Sequence, residues 1–277
     1  MSNNIFFERG QMADKPNNYL WLGDCLKEMK QIPDKSMDAI ICDLPYGTTA
    51  CKWDSIIPFD LLWEQYNRIA KINAPIILNS AQPFTTHLIN SNIYDFKYTL
   101  VWDKKYVTSP FLANKRPMVC HEDICVFYRK QPTYNPQKIK RTEAEFKRLD
   151  KKPKQTISKN EVYGNFETKS TNRQDNKYKH PKSVLNIPTL HKTKSVHPTQ
   201  KPLDLLKWLI KSYTNENDWV LDNTCGSNTT GIACMDLNRN YIGIEKDIDI
   251  YNVAKKRVEK NILLRANKPK TLFDART

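Results

Sequence analysis

The apolar run Ala39-Ile40-Ile41-Cys42 leads directly into Asp43-Leu44-Pro45-Tyr46-Gly47. Four consecutive apolar residues before a Pro/Gly break are typical of a strand that is buried on both faces of a parallel sheet. Ligands bind just beyond the carboxyl ends of such strands. The junction therefore predicts a binding site with a carboxylate, a proline-constrained backbone and an aromatic ring, suited to a planar base that carries an amino group.

A second junction of the same kind follows the strand-like run Trp219-Val220-Leu221. It reads Asp222-Asn223-Thr224-Cys225-Gly226-Ser227-Asn228-Thr229-Thr230 and opens a predicted helix over 231–237. Further on, the predicted strand 241–244 ends in Glu245, where a carboxylate can bind ribose hydroxyls. The turn lacks Gly-x-Gly-x-x-Gly, and Asp222 would repel phosphates, so the pattern argues against a nicotinamide dinucleotide.

These two junctions resemble the Asp-Pro-Pro-Tyr catalytic motif and the Asp-Pro-Phe-x-Gly-Ser-Gly-Thr-Thr cofactor turn of the DNA amino-methyltransferases. His197-Pro198-Thr199-Gln200-Lys201-Pro202 matches a third motif of that family, just before the cofactor turn. Catalytic motif first and cofactor motif last is the beta-class order. The three matches span most of the chain. The resemblance implies a doubly wound, mostly parallel α/β fold of the Rossmann-like type. It also implies that S-adenosylmethionine is the cofactor.

The resemblance also implies roles for the matching residues. Asp43 and the Leu44 carbonyl accept hydrogen bonds from the target amine, Pro45 constrains the turn, and Tyr46 stacks on a base flipped out of the duplex. Asp222 faces the ammonium of S-adenosylmethionine and Lys201 its carboxylate. The full cofactor-binding set that we expect is Asp24, Cys25, His197, Thr199, Lys201, Asp222, Asn223, Thr224, Gly226, Ser227, Asn228, Thr229 and Glu245.

Alternatives remain open at several of these positions. Asp24 either contacts the cofactor's adenine or caps the helix predicted to start at Cys25, and His197 either orients its loop or is structural. Leu44 stands where proline is commonest, which leaves the functional carbonyl in place. Asn228 replaces the second glycine of Gly-Ser-Gly; asparagine enters left-handed conformations at a cost of roughly 1 kcal/mol. A weaker cofactor site, or an impaired enzyme, follows from that cost.

The rest of the chain alternates between strand and helix patterns, as α/β proteins do. Further strands are predicted over 19–22, 74–78, 98–102 and 123–128, and helices over 59–73, 83–89, 203–210 and 248–264. We expect a flexible leader at 1–18, a catalytic half at 19–130, a basic target-recognition insertion at 131–195, a cofactor-binding half at 196–264 and a tail at 265–277.

The insertion has 16 Lys and Arg against 6 Asp and Glu, so it carries +10 of the chain's net +14. Aromatic and amide side chains are interleaved with the basic ones, which favours phosphate contacts and base-edge readout over a plain solvated or disordered face. Trp53, on a loop after the catalytic turn, either covers the substrate or is a packing anchor. The DNA-binding residues that we expect are Lys52, Trp53, Lys138, Lys140, Arg141, Lys151, Lys152 and Arg173.

The seven cysteines form no Cys-x-x-Cys pair, and several stand in apolar runs. They are predicted to be small buried residues, without disulfides or a metal site. No stretch approaches the length of a membrane span, and the N-terminus lacks an apolar signal region. We expect a cytoplasmic protein, encoded by a bacterium or a phage.

Together the patterns predict methyl transfer to the exocyclic N6 of adenine in duplex DNA. Cytosine-N4 methylation is the nearest alternative; an acidic residue such as Asp43 is commoner in adenine enzymes of the family and serine in cytosine enzymes. A structured-RNA or protein-amide methyltransferase is a third reading. A non-catalytic DNA-binding module with a degenerate cofactor fold is a fourth, supported by Asn228. Double-stranded DNA is the expected partner, and a homodimer and a cognate restriction enzyme are further candidates.

Overall fold

A central sheet of eight strands forms the framework of the protein in the computed structural model, which describes residues 18–48, 54–108, 112–150, 157–160, 164–167, 177–189 and 200–266. The described strands are β1 (Asn18–Leu22), β2 (Ala39–Asp43), β3 (Ile76–Ser80), β4 (Phe96–Thr108), β5 (Val119–Phe127), β6 (Ile139–Lys140), β7 (Ile157–Asn160), β8 (Gly164–Glu167), β9 (Tyr178–Lys179), β10 (Val184–Asn186), β11 (Trp219–Asp222) and β12 (Asn240–Glu245). The described helices are α1 (Cys25–Glu28), α2 (Phe59–Ile69), α3 (Phe84–Ser91), α4 (Glu143–Asp150), α5 (Leu203–Tyr213), α6 (Thr229–Asp236) and α7 (Ile248–Ala266).

The strand order in the central sheet is β1-β12-β11-β2-β3-β5-β4-β10. All neighbours are parallel except the two pairs that β5 makes with β3 and β4. The predicted doubly wound, mostly parallel α/β fold is therefore confirmed. Since β2 pairs with β11, the catalytic and cofactor junctions lie side by side at the carboxyl edge of the sheet.

Helices cover both faces of this sheet, which explains the unbroken apolar run of β2. Ile40 and Cys42 belong to the core under α2 and α3, whereas Ala39 and Ile41 belong to the core under α5 and α6. All four residues are at most 1% exposed. A strand covered on both faces has no polar face to alternate with, as the sequence indicated.

The structure corrects several predicted boundaries. β4 is much longer than the predicted 98–102, because its outer half pairs with β5 through residues of mixed polarity that carry no strand pattern. The residues of β10 fall within the predicted insertion, but the structure pairs them with β4 in the central sheet. The helix α2 ends at Ile69 rather than at 73, since Ala70 has an extended backbone.

The chain divides into a larger unit, which includes residues up to 135 and from 183 onward, and a smaller unit of residues 136–182. The smaller unit contains α4 and the antiparallel pairs β6–β9 and β7–β8. This smaller unit contains fewer residues than the insertion predicted at 131–195. Asn18, the last residue of the predicted leader, belongs to β1, and residues 265–266 of the predicted tail belong to α7; the rest of both segments lies outside the described residues.

Five of the six described cysteines are buried, as expected, and Cys120 is exposed. Across the part of the chain that the structure describes, no three His, Cys, Asp or Glu side chains are grouped to hold a metal ion. None of its described helices is long and apolar enough to cross a membrane.

Candidate active site

Asp43 is the last residue of β2, and both of its carboxylate oxygens already have partners. The Tyr46 hydroxyl donates to Oδ1 over 2.8 Å, and the Lys201 ammonium lies 2.7 Å from Oδ2. Burial raises the pKa of Asp43, and the positive charge of Lys201 opposes that rise. The catalytic turn thus presents a carboxylate that is fixed from two sides.

The turn after Asp43 is held by a residue that sequence reasoning missed. The carboxylate of Asp54 accepts hydrogen bonds from the backbone N–H groups of Gly47 and Thr48, at 2.8 and 2.9 Å. Gly47 has a φ of 67°, which favours glycine. The Tyr46 ring stacks on Phe84 with a centroid distance of 5.1 Å, so one face of the ring is covered by protein.

Lys201 lies between two carboxylates of the protein, and its pairing with the cofactor's carboxylate stays a prediction. Its ammonium contacts Asp43 and, at 3.1 Å, Glu122 of β5, whereas we expected it to pair with the cofactor's carboxylate. Burial acts to lower the pKa of Lys201, but the two carboxylates outweigh it and raise that pKa above its ordinary value. Glu122 also pairs with Lys104 of β4 at 3.1 Å. Lys201 is therefore an ion-pair partner of Asp43.

The cofactor turn is built on Asp222, the last residue of β11. Its carboxylate accepts from the Thr230 hydroxyl at 2.6 Å and from the Thr224 N–H at 3.3 Å. Burial raises the pKa of Asp222 to about 7, and these hydrogen bonds oppose the rise. Asn228 has φ 63° and ψ 41°, the left-handed conformation that we expected asparagine to adopt there.

Several residues of this turn contact protein groups. The Asn223 side-chain oxygen accepts from the Tyr66 hydroxyl at 2.6 Å and from the Cys42 thiol at 2.8 Å. Arg257 of α7 donates to the hydroxyl groups of Ser227 and Thr229, at 2.8 and 3.1 Å. These bonds fix the shape of the turn, which is a structural role that the sequence pattern did not indicate.

Two further carboxylates stand at the ends of neighbouring strands. Glu245 is the last residue of β12 and accepts from the backbone N–H groups of Gly226, at 2.9 Å, and Asp247, at 2.8 Å. Asp24 follows β1, and its side chain accepts from the Leu26 N–H at 3.1 Å as the N-cap of α1. The capping interpretation of Asp24 is thus confirmed, and contact with the cofactor's adenine stays a prediction.

A single cavity of about 1120 Å³ joins the two turns. The predicted residues that line it are Asp24, Cys25, Asp43, Leu44, Pro45, Tyr46, Lys201, Asp222, Asn223, Thr224, Gly226, Ser227, Thr229 and Glu245. Asn228 does not line the cavity and is only 2% exposed. The structure therefore does not place it with the other residues that we predicted to bind the cofactor. His197, Thr199, Lys52, Trp53, Lys151, Lys152 and Arg173 lie outside the described residues.

The remaining predicted DNA-binding residues, Lys138, Lys140 and Arg141, belong to the smaller unit. The two lysines are exposed, and Arg141 is half-buried.

Asn79 of β3 also lines the cavity and was missed by sequence reasoning. Its amide N–H₂ donates to the Cys42 carbonyl at 3.2 Å, and its buried oxygen has no hydrogen-bond partner among the residues that the structure describes.

The cavity wall suits S-adenosylmethionine. Three strand-end carboxylates, Asp24, Asp222 and Glu245, offer acceptors to a cofactor that carries a sulfonium, an ammonium and ribose hydroxyl donors. The unpartnered oxygen of Asn79 adds another acceptor on the same wall. A phosphate-bearing cofactor would meet repulsion from the same carboxylates.

Comparison with known proteins agrees with this chemistry. The N6/N4 family model described as DNA methylase matches residues 37–256. The type II methyltransferase M2.MboI of Moraxella bovis is 27% identical over 273 residues, which cover 88% of this chain and 89% of that protein. The DNA adenine methyltransferase YhdJ of Escherichia coli strain K12 is 29% identical over 259 residues, which cover 86% and 81% of the two chains.

Among solved structures, the M1.HpyAVI–SAM complex has the same fold, with a TM-score of 0.57 and 24% identity. The similarity covers 86% of this chain and 98% of that one. The family match extends over most of the chain and includes both turns and all the residues that line the cavity except those at 23–26. The chain therefore belongs to the DNA methylase family and is an S-adenosylmethionine-dependent DNA methyltransferase.

Proposed function

We propose that this enzyme methylates the exocyclic N6 of adenine in duplex DNA. The observation that carries the proposal is the Asp43 carboxylate, held at the cavity between the two turns by Tyr46 and Lys201. An exocyclic amine is a poor nucleophile, because its lone pair is delocalised into the ring. A fixed anionic acceptor is the group that such an amine requires.

The carboxylate can still accept from a substrate. Each oxygen has two lone pairs, so the oxygens that already meet Tyr46 and Lys201 each keep capacity for another donor. An N–H of the target amine that donates to Asp43 is drawn toward tetrahedral geometry, and the carboxylate stabilises the positive charge that develops on the nitrogen. The Leu44 carbonyl is the second acceptor that we propose.

When bound, S-adenosylmethionine would supply the electrophilic methyl group and leave as the neutral thioether, and the methylated amine would pass its extra proton to water. We propose that Asp24, Asp222 and Glu245 bind the cofactor through the acceptors that they present to the cavity. The Thr224 hydroxyl, which donates to the Asp43 carbonyl at 3.1 Å, keeps the cofactor turn in register with the catalytic turn. Such alignment supplies much of the rate in an in-line displacement.

A base inside a duplex cannot reach a cavity of this kind, so we propose that the target adenine is flipped out of the stack. Phe84 covers one face of the Tyr46 ring, and the other face is the surface that we propose for stacking on the base. Lys138 and Lys140, with Arg141, are proposed to contact phosphates. These charges belong to the smaller unit, which we propose to be the target-recognition region.

Cytosine-N4 methylation remains the second candidate, because the same acceptor geometry serves both amines. The acidic first residue of the motif, Asp43, supports adenine. The name of the relative YhdJ, a DNA adenine methyltransferase, supports it too. The non-catalytic alternative loses its support, since Asn228 adopts the left-handed conformation of the turn.

We also propose a cytoplasmic enzyme of a bacterium or a phage, with a cognate restriction enzyme; the type II name of the relative M2.MboI supports this. A homodimer is a further proposal. Sedimentation of the purified protein at several concentrations tests it, and a monomer throughout would contradict it.

The test of the proposed reaction is to incubate the enzyme with methyl-labelled S-adenosylmethionine and unmethylated genomic DNA. The DNA is then digested to nucleosides, and the labelled nucleoside is identified by chromatography. We expect N6-methyldeoxyadenosine, more label in duplex than in heat-denatured DNA, and no label with Asp43→Ala. Labelled N4-methyldeoxycytidine would replace the proposed target with the second candidate.

A further inference from the structure

Four side chains of alternating charge line one wall of the cavity. Lys201 lies 2.7 Å from Asp43 and 3.1 Å from Glu122, and Lys104 lies 3.1 Å from the other oxygen of Glu122. Glu122 comes from β5 and Lys104 from β4, whereas Asp43 ends β2. Three strands and the segment before α5 therefore converge on one line of charge that ends at the catalytic carboxylate.

These charges are largely removed from water. The side chains of Lys201, Glu122 and Lys104 are 11%, 16% and 10% exposed. Ion pairs that are buried in this way contribute little net stability, because the loss of hydration offsets the attraction between the charges. Their presence beside the reactive carboxylate is better explained by the chemistry of the site than by stabilisation of the fold.

The ammonium at the centre of the line is also held by aromatic rings. Lys201 Nζ lies 5.7 Å from the Tyr46 ring centroid and 6.0 Å from that of Trp102. The Trp102 indole N–H donates to the Ile187 carbonyl at 2.7 Å, which fixes that ring in turn. The ring of Trp102 therefore contacts the ammonium without depending on either carboxylate, whereas Tyr46 is itself hydrogen-bonded to Asp43.

We infer that Glu122 is a positioning residue for methyl transfer: it shares the Lys201 ammonium with Asp43, so that the negative charge of Asp43 is only partly offset and Asp43 can accept strongly from the target amine. The inference rests on the proposed role of Asp43 as that acceptor. Lysine paired with Asp43 alone would neutralise the carboxylate that has to stabilise a developing positive charge. Division of the ammonium between two carboxylates leaves part of the negative charge on Asp43.

Lys104 completes the arrangement. Two carboxylates on one ammonium would leave a net negative charge in a buried place, which favours protonation of one of them. Burial acts to raise the pKa of Glu122, but the ammonium groups of Lys201 and Lys104 outweigh it and hold that pKa below its ordinary value. Glu122 is therefore ionised at neutral pH and competes with Asp43 for Lys201.

The first test is Glu122→Gln, which keeps the shape of the side chain and removes its charge. We expect the single-turnover rate of methyl transfer to fall about 10- to 100-fold, less than the loss for a group that contacts the reacting amine. The dissociation constant for S-adenosylmethionine should change by less than about threefold. The negative charge of Glu122 raises the pKa of Asp43, so the acid limb of the rate should move to lower pH in the variant. A rate within twofold of wild type, with an unmoved acid limb, overturns the inference.

A double variant separates positioning from a structural pair. In Glu122→Gln/Lys104→Met both charges of one buried pair are gone, which relieves the unpaired lysine that the single variant leaves. If the pair were only structural, the double variant would recover the wild-type rate. We expect it to stay slow, because Lys201 still pairs with Asp43 alone. Lys104→Met by itself keeps Glu122 on Lys201 and should be faster than both Glu122 variants; the opposite order overturns the inference.

The matched control is Asp236→Asn, which removes the carboxylate from the Lys207–Asp236 pair, 2.6 Å apart and outside the cavity. Its rate should equal that of wild type. All rates are measured on the base that the wild-type enzyme labels. A cytosine product would therefore contradict the proposed target and leave the comparison of the Glu122 variants valid.

Discussion

The Thr224 hydroxyl donates a hydrogen bond of 3.1 Å to the backbone carbonyl of Asp43, so the cofactor turn and the catalytic turn are bonded to each other directly. The same two strands are joined a second time, since the Cys42 thiol donates to the Asn223 side chain. A shift of one turn therefore shifts the other.

Asp43→Ala should lower the turnover number by about 10²–10³ or more, because it deletes a preorganised acceptor for the target amine. Asp43→Asn keeps an oxygen acceptor without the charge and should retain slightly more activity. Cofactor binding should remain near wild type in both. Single-turnover transfer of a labelled methyl group to duplex DNA measures the rate, and calorimetry measures the binding. Near wild-type turnover in Asp43→Ala would remove Asp43 from the reaction.

Asp222→Asn should change how stability depends on pH. The pKa of Asp222 is about 7 in the folded protein against an ordinary 3.8, so the folded state binds more protons between these values. The stability of the wild-type protein without cofactor therefore falls as pH rises through this window, by up to roughly 4 kcal/mol from this group. The variant lacks that loss. Its stability relative to wild type, from melting curves at pH 5 to 8, should rise and level off above pH 7; a constant difference would contradict the assignment.

Glu245→Ala should weaken S-adenosylmethionine binding by about 1–3 kcal/mol, because charge-assisted hydrogen bonds to the ribose are lost. It also removes the acceptor of the Gly226 and Asp247 N–H groups. Calorimetric titration measures the affinity. The control is Asp249→Asn, an exposed carboxylate at the start of α7 that does not line the cavity. Equal affinities in the two variants would place the cofactor elsewhere.

Asn228→Gly and Asn228→Ala test the departure from the family's glycine. Glycine enters the left-handed conformation without steric cost, whereas alanine pays about 1–2 kcal/mol for it. Asn228→Gly should therefore keep or improve stability and cofactor affinity, and Asn228→Ala should be destabilised. Thermal unfolding of both variants with and without cofactor measures the difference. A sharp loss of cofactor binding in Asn228→Gly would reveal a role for the side chain.

Neutralising Lys138 and Lys140 with glutamine should weaken DNA binding across sequences and make the salt dependence shallower, by up to about two phosphate contacts. Both side chains are exposed, whereas the half-buried Arg141 should contribute less. Cofactor affinity should not change. The slope of log K against log salt is the measurement, and Lys30 and Lys260, exposed lysines of the larger unit, give the control. Equal slopes in the two double variants would count against phosphate contact.

Residues at strand ends were the ones that the sequence located best. Asp43, Asp222 and Glu245 each follow a short apolar run, and the topology of a parallel sheet brings all such ends to one edge. The left-handed Asn228 was likewise predictable, since the conformational preference of asparagine is a local property. Local patterns were sufficient wherever the determining interaction is local.

The contact between Lys201 and Glu122 could not be predicted from the sequence, because it depends on which strands pair. Glu122 stands one residue before the predicted strand 123–128 and therefore reads as an exposed charge. Its burial follows from the extension of β5 beside β4, where Glu122 lies opposite Trp102. The sequence of β5 has no alternation of polar and apolar residues that would predict its pairing with β4. The hydrogen bonds of Asn223 to Tyr66 and Cys42 were missed for the same reason.

The place of β2 between β3 and β11 also affects how the enzyme is made. The catalytic strand is synthesised 181 residues before the turn to which it bonds. At ordinary translation speeds that interval is roughly 10 to 35 seconds, during which one edge of a strand with four consecutive apolar residues has no neighbour. Pairings of such long range fold slowly and leave strand edges exposed to other chains. The nascent chain is therefore most prone to aggregation in that interval, and the active site appears only after the turn that follows β11 has been made.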